Sequence, residues 1–156
     1  MIATLVLGGT TVGAQVAQGR DDPAGSLHIR GGATTILEGG TGAPDFTPVL
    51  TKLAFYWDGR TGDLECLAIA PAQPAGEPGS GEFDTNIMYV TGPVTSARVI
   101  GNTAVLEGTA TVTGVGAGQD EPFRLTVRRG GPGATVVLKV SDLVFREIVL
   151  EGRIIF

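Results

Sequence analysis

The strongest constraint on this chain is the way glycine breaks up its apolar runs. Its 25 glycines and 9 prolines sit in a sequence that is 42% hydrophobic. Disordered segments are poor in aliphatic and β-branched residues, whereas Val, Ile, Leu and Thr recur here from end to end. Glycine at this density therefore punctuates many short elements. The β-branched apolar set and its period of two make those elements strands, and no window carries a convincing helical period. At 156 residues the chain is long enough to bury one substantial core. The expectation is an all-β, antiparallel, hairpin-rich single domain spanning 1–156, either a β-sandwich or a β-barrel.

Strand-like runs are read at Ile2–Leu7, Thr11–Ala17, Ser26–Arg30, Thr34–Glu38, Val49–Trp57 and Asp63–Ala70. Others follow at Thr85–Val90, Thr95–Ile100, Ala104–Thr113, Phe123–Arg129, Ala134–Ser141, Phe145–Leu150 and Arg153–Phe156. Gly101-Asn102 between apolar runs predicts a primed two-residue hairpin turn, since such turns need positive φ. Further hairpins are expected at Trp57–Asp63 and Arg128–Ala134. The alternation of Phe123, Leu125 and Val127 with Arg124, Thr126 and Arg128 fits an antiparallel sheet with one wet face. The longest break, Pro71–Glu82, reads as a long Pro/Gly surface loop, and Gly39–Pro48 as a second. No sustained internal repeat is present.

The pattern Val99-x-Gly101-Asn102-x-Ala104-x-Leu106-x-Gly108-x-Ala110-x-Val112-x-Gly114 precedes Phe123-x-Leu125-x-Val127 and a closing Gly152-Arg153-Ile154. Over this C-terminal half the chain resembles small all-β domains appended to bacterial secreted and surface proteins. It departs from them at Ser141-Asp142, where they often carry an aromatic residue before the acid. The resemblance implies a β fold and an extracytoplasmic setting. It carries over no functional residues.

Composition excludes several classes. A formal charge of −5 and a pI near 4.7 argue against nucleic acid, whose phosphates need a basic surface, and against attraction to anionic lipid. Met1–Leu7 is apolar, but it lacks the positive flank of a signal peptide and is too short to cross a bilayer. It is expected to be a strand, with no membrane insertion. Cys66, the one cysteine, alternates with Leu64 and Ala68 and reads as a buried inert thiol. His28, the one histidine, lies in no Gly-x-Ser-x-Gly elbow and reads as an outward-facing side chain. One His and one Cys supply no standard zinc set, so no cofactor is expected. Asp21-Asp22 and the Asp58–Asp63 turn have the oxygen-rich character that calcium prefers, but aspartate is also a common turn residue. Gly114–Gly118 looks like a phosphate loop but precedes a strand, which makes it a turn. Sixteen acidic residues always offer pairs, so paired carboxylates carry no signal by themselves.

The remaining constellation is aromatic. Phe55, Tyr56, Trp57, Met88 and Tyr89 flank the Pro71–Glu82 loop. Phe55, Trp57, Met88 and Tyr89 are the candidate ligand-binding residues, lining a lumen beneath that loop if the sheet closes. Two functions follow. The favoured one is non-catalytic: a surface, filament or virion component that pairs through apolar termini, Met1–Leu7 and Ile154–Phe156, with its own copies or a protein partner. The alternative is a small β-barrel enzyme of cyclase or isomerase type, similar in kind to calycin-like and dirigent-like barrels, acting on an apolar small molecule. A lumen of several hundred cubic ångström lined by Trp57 and Tyr89 would separate the second from the first.

Overall fold

The computed structural model describes residues 27–38, 48–74 and 76–156. Eight strands follow one another: β1 (Ile29–Leu37), β2 (Leu50–Trp57), β3 (Gly62–Pro71), β4 (Phe83–Ile100), β5 (Thr103–Gly114), β6 (Gly118–Arg128), β7 (Thr135–Val140) and β8 (Leu143–Ile155). Each pairs antiparallel with the next, and β8 returns to β1, so the sheet closes into a barrel. Barrel, not sandwich, is the form this all-β chain takes. The expected strands Ile2–Leu7 and Thr11–Ala17, the Asp21-Asp22 pair, Ser26 and the Gly39–Thr47 part of the second loop lie outside the described residues.

The period of two does the sorting. Leu53 and Phe55 on β2, Leu64 and Cys66 on β3, Leu106 on β5, Leu125 and Val127 on β6 and Leu138 on β7 all point into one buried core. The intervening positions face outward and carry charge, as where Glu107 accepts Arg124 at 2.7 Å and Arg98 at 3.2 Å. An apolar filling with a charged outer wall is the reverse of an outer-membrane barrel, which is apolar outside and polar within. Among the described residues no helix is long and apolar enough to cross a membrane.

The turns match the sequence where short-range chemistry decides them. Ile100 pairs with Thr103 around Gly101-Asn102, and Gly101 takes φ 60°, as a type II′ turn requires of its first central residue. Asp58 closes the β2–β3 turn by accepting the N–H groups of Arg60 and Thr61 at 2.9 and 2.8 Å. Those bonds, Thr61 foremost, hold its carboxyl below the usual value. The Asp58 carboxylate is thus engaged in the turn itself. Gly114–Gly118 is the β5–β6 turn, and Pro71–Glu82 bridges β3 to β4 within the same barrel.

Three expected breaks are corrected. Of the expected Ser26–Arg30 and Thr34–Glu38, the residues Ile29-Arg30 and Thr34–Leu37 are parts of a single run, β1; Thr85–Val90 and Thr95–Ile100 lie in the 18-residue β4; Phe145–Leu150 and Arg153–Ile155 belong to β8. Glycine was expected to end these strands, but it sits inside them for steric reasons. A Cβ on Gly31 would lie 2.4 Å from the Phe55 ring, which crosses over this position from β2. At Gly152, φ is 105° and a Cβ would lie 2.1 Å from the Gly32 carbonyl oxygen, beside the bulge where the β1–β8 register shifts. Pro93, lacking an N–H, occupies a gap in the β4–β5 ladder between Thr91 and Val94. These are the bends that let long strands wrap a small barrel.

Gly152→Ala combines a disfavoured φ with a backbone clash and should destabilise the fold by about 2–4 kcal/mol. Gly32→Ala, whose Cβ would meet nothing within 4 Å, should stay within about 0.5 kcal/mol of the parent. Urea unfolding of the two variants checks the contrast.

Candidate functional site

In a meander barrel alternate connections lie at the same end. The Pro71–Glu82 loop therefore shares its end with the β1–β2 connection, the β5–β6 turn and the Ser141-Asp142 turn. Beneath this end lies a cavity of about 160 Å³. Its wall is almost wholly apolar, built from Leu37, Val49, Ala68, Ile87, Met88 and Phe145, among others. Thr51, Cys66 and Glu147 are the exceptions.

Glu147 is inside because of strand period. On β8, Phe145, Glu147 and Val149 share the inward phase while Arg146 is exposed outside. The same rule turns Thr35 inward on β1 and Thr51 inward on β2, and these two are direct cross-strand partners. The three meet. Thr35 Oγ1 donates to Glu147 Oε2 at 2.5 Å and Thr51 Oγ1 donates to Oε1 at 2.9 Å. Thr35 Oγ1 also lies 3.5 Å from the Thr51 carbonyl oxygen. Glu147 is only 3% exposed. Burial pushes its carboxyl above the ordinary value, and the two threonine hydroxyls offset part of that rise by stabilising the charged form. Burial first, and the Glu147 charge second, push the neighbouring Cys66 thiol up as well. A thiol held protonated is no nucleophile.

Of the candidate ligand-binding residues, only Met88 lines this cavity. Phe55 is buried further along β2, beyond Leu53, where it covers Gly31. Trp57 lies at the opposite end of the barrel, in a surface groove with Tyr56, Ile155 and Phe156. Tyr89 points outward and donates to Glu65 Oε1 at 2.7 Å, a bond that raises its phenol pKa. Phe55, Trp57, Met88 and Tyr89 therefore do not form one site. The chain reverses between adjacent strands, and residues flanking a long loop in sequence alternate between inside and outside.

Glu147, Thr35 and Thr51 were not among the sequence candidates. The available signal was a charged residue on the apolar phase of a strand, Phe145-x-Glu147-x-Val149. Among the described residues no group of three His, Cys, Asp or Glu side chains is placed to hold a metal. No protein-family model, curated protein or solved structure matches the chain.

A raised folded-state pKa means that the folded protein keeps a proton the unfolded chain has released. The associated stability is fully present below the ordinary glutamate value of 4.5 and is lost as pH rises through the folded value. Glu147→Gln keeps the shape without titrating. Its melting temperature relative to the parent should therefore rise steadily as pH is increased from about 4.5, read by thermal melts across a pH series.

Proposed function

We propose that the protein is a binding barrel that holds a compact apolar molecule at its long-loop end. One observation supports this reading above others: an apolar cavity at the end of the barrel with, among the described residues, a single buried carboxyl converging on it. Ligand sites are characteristically concave, mostly apolar, and marked by a few placed polar groups. The volume sets the scale of the ligand, because a dry cavity of about 150 Å³ accepts one benzene-sized ring.

A second reading, catalysis of cyclase or isomerase type on an apolar substrate, draws on the same cavity. Glu147 would be its acid, since carboxyls with raised pKa serve that role in apolar sites. Turnover of bound ligand separates catalysis from binding. Association with copies of itself or a partner, in a surface, filament or virion setting, would use Met1–Leu7, which lies outside the described residues, or the outer wall. The C-terminal strand has no free edge for it, because β8 is paired with β7 on one side and β1 on the other.

Ala68→Phe places a ring in the cavity from its wall. Toluene titrated against the parent, followed through methyl NMR signals of Met88 and Ala68, should saturate. The Phe variant should lose that binding at least tenfold while its melting temperature holds or rises, as cavity filling does. Undiminished toluene binding by a folded Ala68→Phe variant would place the ligand elsewhere.

A further inference from the structure

The cavity in which we place the ligand has an asymmetry that selects among apolar molecules. Its wall facing the ligand offers aliphatic and aromatic carbon, with polarity confined to the Cys66 thiol and the carboxyl cluster on β1, β2 and β8. Resting on the binding-barrel reading above, we infer that the preferred ligand is a small neutral molecule with one carbonyl-type oxygen, which accepts the acid proton of Glu147 while its hydrocarbon skeleton fills the cavity.

The hydrogen-bond geometry carries this. When Glu147 is ionised, both threonine hydroxyls donate to it and the cluster is complete, but a bare charge faces apolar carbon. When Glu147 is protonated, its O–H has Thr35 Oγ1 at 2.5 Å as acceptor. The Thr35 hydroxyl must then turn to the Thr51 carbonyl, which is 3.5 Å away, at the limit of a hydrogen bond. The empty acid form therefore keeps the short bond with its direction reversed and leaves the Thr35 hydroxyl proton with only a marginal acceptor. A carbonyl oxygen in the cavity relieves this: the acid O–H moves to the ligand and Thr35 donates to the carboxyl again. A hydrocarbon offers no acceptor. An ammonium ligand would need two ions stripped of water in an apolar pocket, where attraction at best about offsets desolvation.

Among the described residues, the surroundings leave Glu147 to govern the titration. Facing it are Thr35 and Leu37 from β1, Thr51 from β2, Cys66 and Ala68 from β3, Ile87 and Met88 from β4 and Leu138 from β7. Cys66 is the titratable group among them, and its thiol is held protonated. Burial of the carboxyl favours the acid form into a higher pH range than an exposed glutamate allows.

The test compares cyclohexanone, methylcyclohexane and cyclohexylamine by NMR titration of the intact chain between pH 4.5 and 8.5. Cyclohexanone affinity should fall with rising pH once Glu147 ionises, by up to about tenfold per pH unit for one linked proton. In Glu147→Gln, whose amide retains a donor, cyclohexanone should bind within about threefold of the acid-form parent at every pH. Cyclohexanone binding that ignores pH in the parent, or cyclohexylamine binding that outstrips it and strengthens as pH rises, would overturn the inference. Methylcyclohexane binding without cyclohexanone binding would overturn it too, leaving the cavity reading intact. Failure of all three to bind would overturn both.

Discussion

The ladder between β1 and β8 converts a run of hairpins into an enclosure. Every other strand pair joins sequence neighbours and would form in an open sheet. Without this pairing two edges would stand free and the inward faces of Ile29, Val149 and Ile154 would meet water. Several features converge on the joint. The register shifts between Thr34 and Thr35, Gly152 permits a bend no other residue would take easily, and Gly130 bridges to Ile154 from outside the strands. Arg129 stacks 4.4 Å from the centre of the Phe156 ring, fastening the end of the joint where the ladder runs out.

The polar cluster straddles that same joint. Thr35 lies on one side of it and Glu147 on the other, with Thr51 on the next strand. A closing strand filled with valine would be the cheaper construction, because a buried carboxyl costs desolvation that its hydrogen bonds only partly offset. That cost is why the proposed ligand site is placed at the cluster. No buried side-chain polar atom among the described residues lacks a partner, so the carboxyl is accommodated and not an accident of packing. Its apolar neighbours then supply the setting in which one proton matters.

Much of this architecture was legible in the sequence, for local reasons. Alternation along Phe123–Arg128 fixes which side chains are core, and Gly101-Asn102 fixes a turn, because both depend on residues a few positions apart. The glycines misled where their role is non-local. Nothing near Gly31 in sequence announces that Phe55 will lie over it, and nothing near Gly152 announces the Gly32 carbonyl. The site failed to show for the same reason. Thr35 and Thr51 resemble ordinary strand threonines, and Glu147 is one acid among sixteen until the barrel brings the three together. The aromatic residues drew attention by chemical type, whereas strand phase and position along the barrel decide what faces the cavity.

The distance along the chain between the two halves of the joint has a consequence for biosynthesis. Thr35 and Glu147 are separated by 112 positions, so β1 emerges from the ribosome long before β8 exists to cover its outer edge. Through that interval the nascent chain carries an open strand edge, exposed to pairing with another unfinished copy. Gly31 and Gly32, third and fourth of the nine residues of β1, leave that edge poor in side chains until its own partner arrives.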